Sequence, residues 1–382
     1  MNRRNFIKVM GTGAVVLAAT PLLLDQVNGM KSESFRPKHT YDDIRKTLLS
    51  YAMLCPNAHN KQPWKVTLHG QNEIKLFVDT ERLLPETDPV HRQIHISQGS
   101  FIESLVIAAT YFGIKTDVDY FPEGEYDNQS IAALPVASIK LTKQTDIQTD
   151  PLFTQLLSRQ SNKTPYTDEK VPKSDREKLE KLVEDSPFSL RIVDEPSDKK
   201  NMAEFVIEAM EIEEKERARN METIAMFRFN DEEFAKHRDG FGLPQNGIVG
   251  LKRLVVESFF MNRTQTENDP SSFGKEGVKL TQNVANSTQH FALLSSQDNS
   301  RKTQVEIGRL YNRLNLTTSA LGIAQHPMSQ ILQEYEDMLP LQAEFKKHYY
   351  VQNHETVQML FRLGKAKATP LSPRREVQAL LG

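Results

Sequence analysis

Apolar and polar residues alternate with period two over Trp64 to Leu68 and again over Glu73 to Val78, with His69-Gly70-Gln71-Asn72 between them. This spacing predicts a β-hairpin. Upstream, Ile44, Thr47, Leu48, Tyr51 and Ala52 recur at helical spacing, and Cys55-Pro56-Asn57 ends the run, so a helix is expected over 41–54. Gln98 to Phe112 is strongly apolar and closed by Gly113, the pattern of a buried helix with a glycine C-cap. Leu134 to Leu141 reads as a strand, Asp146 to Asp150 as a polar link, and the pattern then starts again.

Self-comparison supports that restart. One offset, 209 positions, carries Gly99 onto Gly308 and Gly113 onto Gly322. It also carries Phe101 onto Leu310, Leu105 onto Leu314, Ile107 onto Leu316, Phe112 onto Leu321 and Ile114 onto Ile323. A duplicated unit is expected, each copy with a buried helix that turns at a glycine. Lys199 to Phe234 is highly charged and helical, with Met202, Phe205, Val206, Met210 and Ile212 on its apolar side. It is expected to be an inserted lid or arm, or else a solvated helix outside the site. The organisation expected is residues 1–29 as a signal, 30–150 as a first half, and 151–382 as a second half with the charged insert around 199–275.

The opening residues change the picture of where the chain works. Arg3-Arg4-Asn5-Phe6-Ile7-Lys8 precedes an apolar run from Val9 to Leu24 that is broken by Gly11, Gly13, Thr20 and Pro21. This is the order of a twin-arginine export signal, and the run is short for a spanning helix, which wants roughly 20 apolar residues. Export to the periplasm or cell envelope is expected, with the export machinery as a partner and a membrane contact only if the signal is retained. Val27-Asn28-Gly29 is the best, weak, cleavage pattern. Lys+Arg 48 against Asp+Glu 50 gives a net charge of -2 with no long basic block, so nucleic acid is not an expected partner. The single cysteine, Cys55, excludes an internal disulfide and reads as packing at a helix end. His91 and His95 have i, i+4 spacing but no accompanying metal motif, so they are expected to be surface histidines, and no metal site is expected. Neither a nucleophile elbow nor a dinucleotide fingerprint occurs.

Three polar elements suit a phosphorylated planar ligand. In Arg159-Gln160-Ser161-Asn162-Lys163, alternate residues place two cations and a hydroxyl on one side of an extended segment. Arg374 and Arg375 follow Pro370 and Pro373 near the end. The loop from Pro56 to Trp64 is rich in amides and stiffened by two prolines, so its groups can meet a ligand with little ordering cost.

These residues resemble the nitroreductase superfamily, in particular its exported, internally duplicated Acg-type branch of FMN-binding proteins. Pro56 to Trp64 is similar to the family's Pro-Ser-Ser-x-Asn-x-Gln-Pro-Trp loop, and Arg159 to Lys163 to its Arg-Arg-Ser/Thr-x-Arg start. Asp79, Arg82, Leu83, Pro85, Asp88, Pro89 and Arg92 resemble a run of the branch; Leu321 to Gln330 and Leu363-Gly364 leading to Arg374-Arg375 look like its later segments. The resemblance implies an α+β fold, an α/β sandwich in which two nitroreductase-like halves are fused as a pseudo-dimer, acting as a monomer. It implies one FMN, held by Arg159, Ser161, Lys163, Arg374 and Arg375 on its phosphate side. Pro56, Asn57, Ala58 and Asn60 would come from across the pseudo-interface, and Pro327, Met328, Ser329 and Gln330 would run beside the ring, with a backbone N–H for flavin N5. Asn57 and Ala58 stand where the family has serines, and Lys163 where it has an arginine. The implied activity is FMN-dependent oxidoreduction of small planar acceptors, with no catalytic side chain assigned. A flavin-sequestering protein without turnover and a flavin-free scaffold are the alternatives.

Overall fold

The structure, a computed structural model, describes residues 36–259 and 261–382. The twin-arginine segment and its cleavage pattern lie outside these residues. Among them, no helix is long and apolar enough to cross a membrane.

The first half runs α1 (Ile44–Ala52), β1 (Trp64–His69), β2 (Glu73–Val78), α2 (Arg92–Tyr111), β3 (Ile114–Tyr120) and β4 (Ala137–Lys143). The second repeats this order as α3 (Lys173–Lys181), β5 (Ser189–Val193), β8 (His290–Ser296), α10 (Arg301–Ala320), β9 (Ala324–Pro327) and β10 (Thr356–Gly364), with α11 (Leu339–His348) between the last two strands. The two sheets are ordered β1-β2-β4-β3 and β5-β8-β10-β9, antiparallel throughout. Strand for strand the topologies match, so the chain is an α+β protein of two fused, equivalent halves.

The hairpin β1–β2 stands where its alternation places it, with Trp64 opposite Val78. The buried helix starts six residues earlier than its apolar run, at Arg92 rather than Gln98. Asp88 accounts for this: its carboxylate accepts from Gln93 N (3.1 Å) and Ile94 N (2.9 Å), capping a polar first turn that hydrophobicity alone does not reveal. His95 belongs to that turn and is not a surface histidine. It is fully buried, its ring nitrogens 2.6 Å from His91 O and 2.7 Å from Tyr126 Oη, and burial pulls it down to about 3. Strand β3 was not among the expected elements, although Ile114, Thr116, Val118 and Tyr120 alternate there with Lys115, Asp117 and Asp119.

Helices α2 and α10 pack on each other at the centre, and the duplication is visible in the contact. A methyl group at Gly99 would collide with Val305 O, and one at Gly308 with Ile96 O. Both pairs obey the same offset, so the crossing is reciprocal, as in an isologous dimer. Arg92 and Arg301 are related in the same way: Arg92 donates to Leu332 O (2.7 Å) and Arg301 to Asp127 O (3.0 Å), each reaching the loop after the other half's third strand. Gly113 and Gly322 end the two helices at φ 65° and 62°, which a side chain would strain.

The halves differ in one connection. A tight turn joins β1 to β2, whereas residues 194–289 join β5 to β8. This insert carries α4 (Pro196–Lys215), α5 (Arg217–Met226), β6 (Phe227–Arg228), α6 (Asp231–His237), β7 (Phe241–Gly242), α7 (Gly250–Phe259), α8 (Arg263–Asn268) and α9 (Pro270–Asn286). It has its own small core around Ile224, Phe227, Leu243 and Val256. From the second half it reaches across to the first: Arg82 pairs with Asp239 (2.9 Å), and Glu222 accepts from Thr87 N (2.8 Å) and Oγ1 (2.6 Å).

Candidate functional site

The halves and the insert enclose a cavity of about 1100 Å³. That is just above the roughly 300–1,000 Å³ of ordinary small-molecule sites. Of the residues expected to bind a cofactor, all but Arg375 line it. Four segments bring them together: the loop after α1, the segment before α3, the end of β9, and the chain following β10.

The loop from Pro56 to Gln62 is strained and held from several sides. His59, Asn60 and Gln62 take φ of 49°, 53° and 56°, each costing about 1 kcal/mol for a residue with a side chain. Asn57 Oδ1 accepts from Gln62 N (2.8 Å), so the amide standing in place of a serine fastens the loop to itself. Asn60 Nδ2 donates to Gly240 O (2.9 Å) and Pro373 O (3.1 Å), and its Oδ1 accepts from Arg374 (2.8 Å). Its side chain is thus spent on tying loop, insert and C-terminal segment together at the cavity wall. Gln62 is fully buried and joins Arg238 O (2.8 Å) to Arg375 N (2.9 Å).

Arg159, Ser161 and Lys163 line the cavity, but so does Gln160, so the alternation holds only in part; Asn162 turns away to donate to Lys367 O (2.7 Å). Arg159 and Arg374 converge on one carbonyl oxygen, that of Leu54, at 3.2 and 3.1 Å. Arg374 also donates to Met53 O (2.6 Å) and Cys55 O (3.1 Å), and Arg159 to Asn315 Oδ1 (2.8 Å). Arg159 Nε is buried without a partner. Burial and the mutual repulsion of these charges hold the Arg374 guanidinium well below its ordinary range. Lys163 Nζ sits over the Phe241 ring, 3.9 Å from its centroid, and burial lowers it to about 8. Among the described residues none of these three cations has a carboxylate partner. Burial pushes the Cys55 thiol beside them up to about 12, so it packs as an inert thiol.

Arg375 does something else. Its guanidinium donates to Gln62 O (2.8 Å) and Trp64 O (3.2 Å) and faces Asp79 at 3.7 Å, locking the start of β1. The expectation that it touches the ligand is therefore corrected: the structure spends its charge on the scaffold. In the loop after β9, Pro327 has no N–H and Met328 N donates to Leu360 O (2.8 Å). Only the N–H groups of Ser329 and Gln330 are left for a ligand.

The insert, expected either as a lid or arm or as a helix outside the site, borders the cavity with residues the sequence did not single out. Its Phe227, Phe241, Leu243, Ile248 and Phe273 give one wall an apolar face. Glu213 also lines the cavity. It falls on the same stripe of α4 as the buried Met202, Val206 and Ala209, and a carboxylate in an apolar phase was the available signal.

No family model matches the chain. A Mycobacterium tuberculosis protein provisionally named an NAD(P)H nitroreductase is 23% identical over 349 residues, 88% of this chain and 90% of its own length. A Serratia protein provisionally named NAD(P)H nitroreductase PigM is 22% identical over 302 residues, 77% of this chain and 82% of its own length. These sequence similarities point to the nitroreductase superfamily. Among solved structures, a provisionally named nitroreductase of Anabaena variabilis aligns over 88% of this chain and 92% of its own, with 9% identity and a TM-score of 0.42. The FMN-dependent nitroreductase NfnB of Mycobacterium smegmatis, solved with NADPH, covers 56% of this chain and 86% of its own at 16% identity and a TM-score of 0.34.

Proposed function

We propose that the chain is an FMN-dependent oxidoreductase of nitroreductase type that reduces small planar acceptors. The observation that carries this is the convergence of Arg159 and Arg374 on Leu54 O, with Lys163 on the same cavity and no carboxylate to neutralise them. Buried like charges without a counter-ion are costly, and a phosphate dianion relieves that cost. The unpartnered Arg159 Nε is a spare donor for such a group. Bound FMN supplies hydride and electron transfer, chemistry that no side chain here provides. Ser161 and Lys163 would hold the phosphate side, a Ser329 or Gln330 N–H would be the donor for the ring, and the strained loop with Ala58 would border it. The insert's apolar wall would exclude water from the ring. Only one such cavity is expected per chain, because the first half has a tight turn where the second has the insert.

Export through the twin-arginine machinery is part of the same proposal. Arg3-Arg4 ahead of the apolar run supports it, and a pathway that carries folded proteins suits one that must acquire its cofactor first. NAD(P)H is scarce outside the cytoplasm, so the electron donor there is a different reductant. The deciding experiment is the visible spectrum of the chain lacking residues 1–29, folded in the cytoplasm, with the released chromophore identified by chromatography. Near-stoichiometric FMN is expected; a colourless protein that also refuses added FMN overturns the proposal.

A further inference from the structure

One corner of the cavity is polar in a way that holding FMN does not require. Gln93, Glu213 and Gln333 all line the cavity with exposures of only 8%, 6% and 6%. Gln93 Nε2 and Gln333 Oε1 are buried without partners. All three border the segment 330–335: Arg92, next to Gln93, donates to Leu332 O beside Gln333 (2.7 Å), and Glu213 hydrogen-bonds the Gln330 side chain and the Tyr335 hydroxyl (3.3 Å). Gln330 belongs to the segment assigned above to the ring, so this corner adjoins the reacting centre.

Of the charges near Glu213 all but Glu214 are committed elsewhere; Glu214 keeps a buried Oε2 without a partner, and burial and the Glu213 charge push it up to about 8. Arg219 forks onto Asp337 at 2.9 and 2.8 Å and stacks on Tyr335. Glu222 holds Thr87, Asp88 caps α2, and Glu214 turns toward the notch left by Gly274 and Gly277 in α9. Among the described residues no cation pairs with Glu213. The Tyr335 hydroxyl lies 3.0 Å from Thr87 O, which can only accept, as well as 3.3 Å from Glu213. One hydroxyl proton cannot serve both acceptors fully, whereas a Glu213 that keeps its own proton satisfies both. Burial acts in the same direction, pushing the carboxyl up to about 7.

We propose that this corner is the acceptor subsite, in which Glu213, positioned by Tyr335, holds the proton delivered to an oxygen of an uncharged quinone-type acceptor. The inference rests on the FMN reading above. The acceptor takes up a hydride equivalent, two electrons and one proton, from the reduced flavin. Its second new O–H bond forms as the Glu213 O–H bond breaks, giving the hydroquinone and a carboxylate that solvent reprotonates. Gln93 Nε2 donates to the carbonyl oxygen and Gln333 Oε1 receives a hydroxyl or N–H on the ring. A carboxylated acceptor would bring a charge into a corner whose burial already disfavours the ionised forms of Glu213 and Glu214, and is disfavoured.

The test uses wild-type, Glu213→Gln and Tyr335→Phe chains, both substitutions keeping side-chain volume. FMN per chain is measured first. Infrared spectra of the unloaded proteins then follow the protonated-carboxyl band against pH, and photoreduced, FMN-loaded protein is mixed with benzoquinone to follow reoxidation. In the wild type the band and the reoxidation rate should both fall as pH rises through about 7. Glu213→Gln should bind FMN, lose the component of the band that titrates through about 7 while those of Glu214 and Asp88 remain, and reoxidise about 100-fold more slowly with no pH limb, the low end of general-acid contributions. Tyr335→Phe should keep the band and move its midpoint; an unmoved midpoint removes Tyr335 from the proposal. A Glu213→Gln chain that holds FMN and reoxidises like the wild type, with the same limb, overturns the subsite and leaves the flavin reading intact. A wild type that takes up no FMN overturns both.

Discussion

Arg159 and Arg374 share the Leu54 carbonyl, yet they are not equivalent residues. Arg374 makes hydrogen bonds to Met53, Leu54, Cys55, Asn60 and Pro373 and is as much a girder as a ligand contact, whereas Arg159 keeps a donor in hand. Arg159→Ala should therefore weaken FMN binding with little loss of fold, by about 2 kcal/mol or roughly thirtyfold, the worth of a hydrogen bond to a charged group. Fluorescence titration with FMN checks this, and an unchanged affinity removes Arg159 from the phosphate. Lys163 makes a separable claim. Its free ammonium is lowered to about 8, so charge is present below that pH and lost above it, and FMN affinity should decline as pH rises through about 8. Lys163→Met should bind more weakly and lose that bend in the binding profile. Arg375→Ala should do the opposite of Arg159→Ala: denaturant titration should show a loss of about 2–3 kcal/mol of stability, because buried carbonyls lose a charged donor, while FMN stoichiometry persists.

At the scale of elements, the α2–α10 crossing controls everything the halves share. Gly308→Ala places a methyl against the Ile96 carbonyl, a backbone group that cannot step aside, so about 3 kcal/mol should be lost, the upper end of overpacking costs. A urea midpoint indistinguishable from wild type would mean the helices sit further apart than described. The other decisive element is the insert, which packs apolar residues of α4 and α9 into the second half's core and reaches the first half through polar anchors. Its helical content is legible from charge and apolar spacing, but its placement is not, since Arg82–Asp239 and Thr87–Glu222 join residues more than a hundred positions apart. Glu213 shows the same limit. Its position on the apolar stripe of α4 marks it as unusual, and only packing against Tyr335 and Gln330 gives it a task.

For the whole molecule, one large cavity and a reciprocal helix crossing within a single chain make a second subunit unnecessary for the site. Chromatography with light scattering should find a monomer carrying one FMN; two FMN per chain would contradict the asymmetry that the insert creates. Much of this was written in local patterns: the hairpin from period-two alternation, the central helices from apolar spacing with glycine caps, the fused halves from a constant offset, and the grouping of Arg159, Ser161 and Lys163 from the geometry of extended chain. These follow from backbone periodicity and short-range chemistry, which a sequence specifies directly. The tertiary structure alone decided which of two adjacent arginines faces the cavity and that His95 is core rather than surface. It also decided that Asn60 is a clamp, that only two N–H groups after β9 remain free, and that the insert forms a wall. Each of those depends on partners far away in the chain, and whether a polar group is spent or available is settled only when those partners arrive.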